Sequence, residues 1–292
     1  MNPRFKTPRS GPASAVLLAL ITAIAPVAAG QSKQAGPQLS VVRADILDKE
    51  DGYPIDPEST FMPGETVFIL FNVGGFTRGQ YDRVKLHWRI DSFGPQGERF
   101  VEAKTGEIDS ELAPQDANWL PIIRHSPLIP PHAGAGTYRV VLTVVDDLAK
   151  TEANREVPIY VGGVAVAGSD YLAVRGLAFA RSEGGAKLAT PAFRPGDQVW
   201  MSFYITGYDL GDDNSFHVRS TLRLVNTEGE VILNLPPHDE RGSSYYPRRW
   251  MPASLRLDLD RTIPAGRYLL LVFLEDEIAA TSYQSSYWFE VR

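Results

Sequence analysis

The stretch Phe61-Met62-Pro63-Gly64-Glu65 recurs as Phe193-Arg194-Pro195-Gly196-Asp197, and the match continues without a gap on both sides. Near the end of each copy, Gly136-Thr137-Tyr138 returns as Gly266-Arg267-Tyr268. Such self-similarity predicts two copies of one structural unit. We expect the units to cover residues 36–163 and 164–292. Because the linker after Val161 is short and apolar, we expect the units to pack together rather than swing freely.

Each copy has the pattern of an all-β fold. Residues 84–90 alternate between apolar and polar side chains, as a half-buried strand does, and residues 66–71 form an apolar run directly after the Pro63-Gly64 turn. About seven such segments per copy are separated by Gly, Pro, Asn and Asp. After residue 30 we find no helix-period segment of more than ten residues. The sequence therefore predicts two tandem antiparallel β-sandwiches.

The Gly-x-Tyr motif that repeats in both copies resembles the tyrosine corner of immunoglobulin-like and fibronectin type III-like domains. Tyr138 and Tyr268 lie two residues before Val140 and Leu270, where immunoglobulin domains carry their second cysteine. The resemblance implies an immunoglobulin-like sandwich in each copy. The Phe-x-Pro-Gly-Glu/Asp motif also looks like repeats of uncharacterised bacterial exported proteins. That resemblance implies no activity.

The first 29 residues have the three parts of a secretory signal peptide. Arg4, Lys6 and Arg9 form a basic start, residues 13–25 are a short apolar run, and Val27-Ala28-Ala29 offers small residues for cleavage. An uncleaved anchor helix is the alternative interpretation. We expect a secreted protein, periplasmic or extracellular, and no later segment is long and apolar enough to span a membrane.

Charge and composition exclude several classes of function. Loss of Arg4, Lys6 and Arg9 takes the net charge from −6 to −9, which disfavours nucleic acid and anionic lipid as partners. The chain has no cysteine, so disulfides, zinc–thiolate sites and thiol catalysis are ruled out. We expect each unit to be stabilised by its core alone.

The sequence contains no recognisable catalytic motif. The five histidines lie at positions without metal-ligand spacing, and neither a Gly-x-Ser-x-Gly elbow nor a phosphate loop occurs. Paired carboxylates for glycoside hydrolysis are left open, because such pairs are distant in sequence. We predict no catalytic residues and no enzymatic activity.

Residues 243–250 of the second copy break the duplication, and we call them the 243–250 loop. Its Tyr245, Tyr246, Arg248 and Arg249 have the composition of a ligand-binding patch, because aromatic faces stack on sugars and Arg holds carboxylates. The alternative is that the tyrosines merely cover one end of the sandwich. If Tyr245, Tyr246 and Arg248 share one exposed face, a carbohydrate-binding accessory role follows.

An acidic loop follows Tyr208. Asp209, Asp212 and Asp213 gather carboxylates that could ligate calcium, whereas a solvated loop is the simpler interpretation. No cofactor other than calcium is predicted.

These observations favour a non-enzymatic exported protein that acts in binding, adhesion or envelope structure. We expect its partner to be a protein or polysaccharide of the cell envelope, contacted by loops at the ends of a rigid frame. A carbohydrate-binding accessory role is the first alternative, and a calcium-dependent or hydrolytic enzyme the second.

Overall fold

The computed structural model describes residues 38–292 and shows an all-β protein, as predicted. The first half, residues 38–163, contains eight strands: β1 Ser40–Leu47, β2 Thr60–Phe61, β3 Phe68–Gly74, β4 Arg83–Phe93, β5 Arg99–Glu111, β6 Ile122–His125, β7 Gly136–Asp146 and β8 Thr151–Val161. The second half, residues 164–292, contains nine: β9 Ala173–Ala180, β10 Ala192–Phe193, β11 Gln198–Thr206, β12 Phe216–Val225, β13 Val231–Asn234, β14 His238–Gly242, β15 Trp250–Asp258, β16 Gly266–Asp276 and β17 Thr281–Val291.

The only helices among the described residues are three single 3-10 turns, Gln80–Asp82, Pro114–Asp116 and Asp212–Asn214. Between residues 38 and 292 no helix has the length and apolar character needed to cross a membrane. The predicted signal peptide, residues 1–29, lies outside the described residues.

The two halves repeat one sheet plan. In the first half a three-stranded sheet, β1-β3-β6, lies over a five-stranded sheet, β2-β8-β7-β4-β5. In the second half the corresponding sheets are β9-β11-β15 and β10-β17-β16-β12-β13, with β14 also paired to β12. All pairings are antiparallel except the two short ones, β2 with β8 and β10 with β17.

The halves differ at one edge. Strand β5 runs for 13 residues beside β4, whereas its counterpart is divided into β13 and β14 by Leu235-Pro236-Pro237. Proline cannot donate to a strand ladder, so the Pro-Pro pair interrupts pairing there. The sequence pattern does not predict the far part of β5, because residues 104–111 are mostly exposed and polar.

The repeated Pro-Gly motif forms a β-turn that its own carboxylate closes. Gly64 and Gly196 have φ of 90° and 84°, a conformation that favours glycine. The Glu65 carboxylate accepts the Met62 amide at 2.8 Å, and the Asp197 carboxylate accepts the Arg194 amide at 2.7 Å. Each acidic side chain therefore caps the turn in addition to meeting solvent.

The tyrosine-corner hydrogen bond is present in both halves. The Tyr138 hydroxyl donates to the Gly134 carbonyl at 3.1 Å, and the Tyr268 hydroxyl donates to the Pro264 carbonyl at 2.8 Å. Both rings are buried. The bond ties the start of the penultimate strand to the turn that precedes it.

A buried aspartate joins two loops in each half. Asp146 is 1% exposed; its Oδ1 accepts the amides of Leu148 and Ala149, and its Oδ2 accepts the Thr77 amide at 2.6 Å. Asp276 repeats the pattern, with Oδ2 2.7 Å from the Asp209 amide. Each aspartate therefore caps the hairpin turn that follows it and links that turn to the loop after the second long strand.

Two hydrophobic clusters fill the interior. One draws its buried members from residues 172–291. The other draws them from residues 39–161, with a single exception, Tyr246. That one side chain of the second half lies 8% exposed in the core of the first.

Replacing the corner tyrosines with phenylalanine should lower stability. We expect Tyr268→Phe to cost about 1 kcal/mol, the net contribution of one hydrogen bond, and Tyr138→Phe somewhat more, because its hydroxyl also lies 3.1 Å from that of Tyr246. Urea unfolding measures both. Tyr160→Phe, on the surface, is the control and should stay within about 0.5 kcal/mol of the parent. Equal stability of all four proteins would contradict a structural role for the corners.

Acid should weaken the junction that Asp146 makes. Burial alone raises the pKa of Asp146, but the amides of Thr77, Ala149 and Leu148 outweigh it and hold the pKa below the ordinary value. The stabilisation is therefore present above about pH 4 and is lost as the pH falls through the folded-state pKa. Asp146→Asn should cost about 1–3 kcal/mol near pH 7 and flatten the loss of stability that the parent shows below about pH 4.

Chemical unfolding at a series of pH values measures this dependence. Asp116→Asn, an exposed aspartate with no side-chain hydrogen bond among the described residues, is the matched control. A variant of Asp146 with the same acid slope as the parent would contradict the assignment.

Candidate functional site

The 243–250 loop crosses from the second half to the first and carries the candidate site. Tyr246 enters the first half's core, where its ring centroid lies 6.2 Å from that of Tyr138 and 5.7 Å from that of His132. The Tyr246 and Tyr138 hydroxyls are 3.1 Å apart. Since Tyr138 already donates to Gly134, Tyr246 donates and Tyr138 accepts. Tyr246 thus extends the first tyrosine corner across the junction.

The backbone of Tyr246 is held from both halves. Its carbonyl accepts the Ser244 hydroxyl at 2.6 Å and the Nε2–H of His132 at 2.9 Å. Burial lowers the pKa of His132, against the raising effect of that hydrogen bond, and Arg248 lowers it further. His132 is therefore neutral near pH 7. Burial also raises the pKa of the Tyr246 hydroxyl, which stays protonated.

Arg248 points back into the second half. Its guanidinium lies 5.2 Å from the Phe216 ring centroid and 3.2 Å from a Glu240 carboxylate oxygen, and its side chain is 23% exposed. Its backbone carbonyl accepts a hydrogen bond from the Tyr208 hydroxyl. Arg248 therefore anchors the 243–250 loop to the second half.

Only Tyr245 and Arg249 of the four predicted ligand-binding residues are exposed. Tyr246 is buried and Arg248 is mostly covered, so Tyr245, Tyr246 and Arg248 do not share one exposed face. The physical reason is that the loop bends at Tyr245 and Tyr246, and the Tyr246 ring packs against Tyr138 and His132 inside the first half. The carbohydrate-binding hypothesis required that face and loses its basis.

The acidic loop supports the 243–250 loop through Asn214. The Asn214 amide donates to the carbonyls of Ser244 and Tyr245, at 3.1 and 2.8 Å. No group of three or more His, Asp or Glu side chains among residues 38–292 is arranged to hold a metal ion, and calcium binding by Asp209, Asp212 and Asp213 stays a prediction. The first half builds the same loop around Tyr81, so its shape does not depend on the carboxylates.

A serine–histidine pair among the described residues is enclosed in the core of the first half. Ser92 Oγ lies 2.8 Å from His125 Nε2, and the two residues are 1% and 6% exposed. Burial, followed by the charge of Lys104, lowers the pKa of His125 to about 4. Sequence reasoning had passed over the pair because no motif connects the two positions. The pair is a satisfied core contact that no substrate reaches.

A cavity of about 190 Å³ lies beside Tyr246 at the junction of the halves. The first half contributes Glu98 and Tyr138 to its lining, and the second half contributes Thr206, Arg249 and Trp250. Trp250 is fixed by an edge-to-face contact with Tyr204, with centroids 5.5 Å apart. This cavity and the loop beside it form the candidate site.

Comparison with known proteins gives no family for this chain. No family model matches it, and no curated protein matches it either. Similar solved structures include the C-terminal domain of the Streptococcus agalactiae AgI/II polypeptide BspA, at 10% identity and a TM-score of 0.31, covering 86% of this chain and 99% of that one. Another is the C-terminal domain of the Streptococcus pyogenes antigen I/II-family protein AspA, at 11% identity and 0.32, covering 88% and 100%. Likeness of this degree carries no argument about function.

Removing the Tyr246 ring should uncouple the two halves. We expect Tyr246→Ala to cost about 3 kcal/mol, as for a buried aromatic, and to split the calorimetric unfolding into two transitions. Tyr246→Phe keeps the ring and should cost about 1 kcal/mol with one transition retained. Tyr245→Ala, at the exposed neighbouring position, is the matched control and should behave as the parent. A single unshifted transition in Tyr246→Ala would show that the halves are joined by other contacts.

Proposed function

We propose that this chain is an exported, non-enzymatic protein that binds a component of the cell envelope. In this proposal residues 1–29 are removed as a signal peptide, and residues 36–163 and 164–292 act as two immunoglobulin-like sandwich domains. The role is adhesion or envelope structure, in the periplasm or outside the cell. A protein or polysaccharide is the partner, since the net negative charge disfavours nucleic acid.

The burial of Tyr246 in the first half's core is the observation that carries the proposal. A contact of this kind restricts the angle between the two halves, so their exposed loops keep one arrangement relative to each other. Preorganisation lowers the entropy that binding costs. A rigid pair of sandwiches therefore suits a protein whose task is to hold a partner.

The chemistry of the described residues supports a non-enzymatic role. The Ser92–His125 pair has the spacing of a nucleophile and its base, yet both side chains lie inside the sandwich. Catalysis by such a pair requires that the hydroxyl reach the substrate.

Binding to isolated envelope material tests the proposal. Residues 30–292, labelled and titrated onto envelopes from cells lacking the protein, should bind saturably and be displaced by unlabelled protein. Tyr246→Ala, which frees the halves, should bind at least about tenfold more weakly because the loops no longer engage together. Tyr245→Ala, measured in the same assay, tests whether this exposed side chain of the 243–250 loop contributes to envelope binding.

Two outcomes would overturn the proposal. One is the absence of saturable binding to any envelope fraction. The other is release of soluble fragments from envelope polysaccharide or protein by the purified chain, which would make it a hydrolase.

A further inference from the structure

The second half has an open pocket between its two sheets, and we call it the seam pocket. Strand β15 of the smaller sheet lines one side, and β12 with the Pro-Pro break of the larger sheet lines the other. Its volume is about 550 Å³, within the ~300–1,000 Å³ of pockets that hold small molecules. Most of the lining is apolar and includes Val218, Leu235, Pro236, Met251, Ala253 and Leu255.

The duplication shows which residues occupy the same place in the first half. Strand β4 pairs with β7, and β12 pairs with β16, in the same register relative to the buried aspartates of the two halves. In that register Trp88 of β4 corresponds to Ser220 of β12. The neighbour of Trp88 on the next strand is Gly106, and the neighbour of Ser220 is His238. An indole in one half therefore corresponds to a hydroxymethyl group in the other.

The Trp88 indole closes the first half at this place. The ring lies directly against Gly106, where an added Cβ would be 2.3 Å from Trp88 Cζ2, and it packs on the core of the first half. The Lys104 amine donates to the Arg124 carbonyl at 3.3 Å and so joins β5 to β6 across the gap between the sheets. The gap is thus filled by an aromatic ring and bridged by a side chain.

Three differences open the second half. Ser220 replaces the indole, and Ala253 of β15 lies where β6 has Ile123, since each pairs with the equivalent phenylalanine of the central strand. Pro236-Pro237 interrupts the edge strand, which in the first half is continuous and carries Lys104. The seam pocket therefore results from smaller side chains on both sheets and from an interrupted edge.

The shape of the seam pocket favours a flat ligand. Ser220 of the larger sheet and Ala253 of the smaller one both line it. Stacked sheets lie about 10 Å apart, and a ring in van der Waals contact on both sides needs about 7–8 Å. Two small side chains therefore leave room for one ring between the sheets. Met251 also lines the pocket, and its thioether sulfur makes favourable contacts with aromatic rings.

The polar groups of the seam pocket favour a neutral ligand. Its charged lining residues already have ion-pair partners: Glu240 lies 3.2 Å from Arg248, and Arg256 lies 3.1 Å from Asp258. A charged ligand would have to compete with these pairs. Ser220 is 8% exposed, and its hydroxyl can accept one hydrogen bond from an N–H or O–H group on a ring.

We propose that the seam pocket binds a neutral, planar aromatic molecule of about the size of indole, held between the sheets with its N–H or O–H group on the Ser220 hydroxyl. The ligand takes the place that the Trp88 indole has in the first half. This site is independent of the envelope binding proposed above, because it takes a small molecule between two sheets and not a macromolecule on the outer loops.

Titration calorimetry on residues 30–292 with indole and with 2-naphthol tests the proposal. We expect saturable one-to-one binding of both, with dissociation constants below about 1 mM. Decahydro-2-naphthol, which has the same skeleton without the flat rings, should bind at least about tenfold more weakly than 2-naphthol. Indole-3-acetate, which adds a negative charge, should bind at least about tenfold more weakly than indole. The ligands should also raise the melting temperature, because they bind only the folded state.

Variants locate the site. Ser220→Trp combined with His238→Gly recreates the Trp88–Gly106 pair in the second half and should abolish binding. Ala253→Ile should weaken binding at least about tenfold by narrowing the pocket, and Ser220→Ala should weaken it by a smaller factor.

Two matched controls accompany these variants. His238→Gly alone keeps Ser220 and should bind as the parent does. Thr221→Val, next to Ser220 on β12, changes a side chain on the opposite face of the sheet and should also bind as the parent does. Circular dichroism and melting curves establish which variants are folded, and Ala253→Ile decides the location if the double variant does not fold.

Three results would overturn the proposal. The first is no binding of indole or 2-naphthol up to about 5 mM. The second is equal binding of 2-naphthol and its saturated counterpart. The third is unchanged binding in the folded double variant or in Ala253→Ile, which would place the ligand elsewhere. None of these results bears on envelope binding, which the titration on envelopes measures separately.

Discussion

The burial of one aromatic ring, Tyr246, determines how the two halves of this chain are joined. Its hydroxyl donates to the hydroxyl of Tyr138, which itself closes the first tyrosine corner. Its carbonyl is held by His132 of the first half and by Ser244 of its own loop. The loop is further supported by Asn214 and by the Tyr208 hydroxyl. Each of these contacts requires the Tyr246 ring to stay in the core of the first half.

The differences between the halves are as informative as the repeats. Both keep the capped Pro-Gly turn, the tyrosine corner and the buried aspartate, and all three are structural. Two of the differences lie at the junction. Gly94 occupies the position equivalent to Asn226 of the second half. The tyrosines of the 243–250 loop have no counterpart in the first half. Divergence after a duplication is expected to concentrate where a copy gains a separate role.

Much of the fold could be predicted because its signals are local. Alternation over residues 84–90 and the Pro63-Gly64 turn depend only on neighbouring residues, and the strands followed from them. The far part of β5 could not be predicted, because Glu107 and Asp109 are polar residues that face outward. Their strand conformation comes from pairing with His87 and Lys85 of β4. Pairing between distant segments leaves little trace in the sequence of either one.

The candidate site was only partly predictable for a related reason. The composition of the 243–250 loop pointed to the right segment, but Tyr245 and Tyr246 are chemically identical. Only the position of the first half decides that one faces water and the other a core. The position of Glu98 beside the Tyr246 hydroxyl likewise depends on a glycine four residues earlier and on a tyrosine far along the chain. Neither relation is visible in a periodicity.

The distance along the chain between Tyr138 and Tyr246 has a consequence for how the molecule is made. The two residues are 108 positions apart, and the later one belongs to the unit synthesised second. Until Tyr246 has been synthesised, the first half has an uncovered apolar hollow beside its tyrosine corner, and its core is incomplete. Contacts of such long range form late and slowly. Folding of the first half must therefore wait for the second half. A truncated chain that ends before residue 246 is prone to aggregation and degradation.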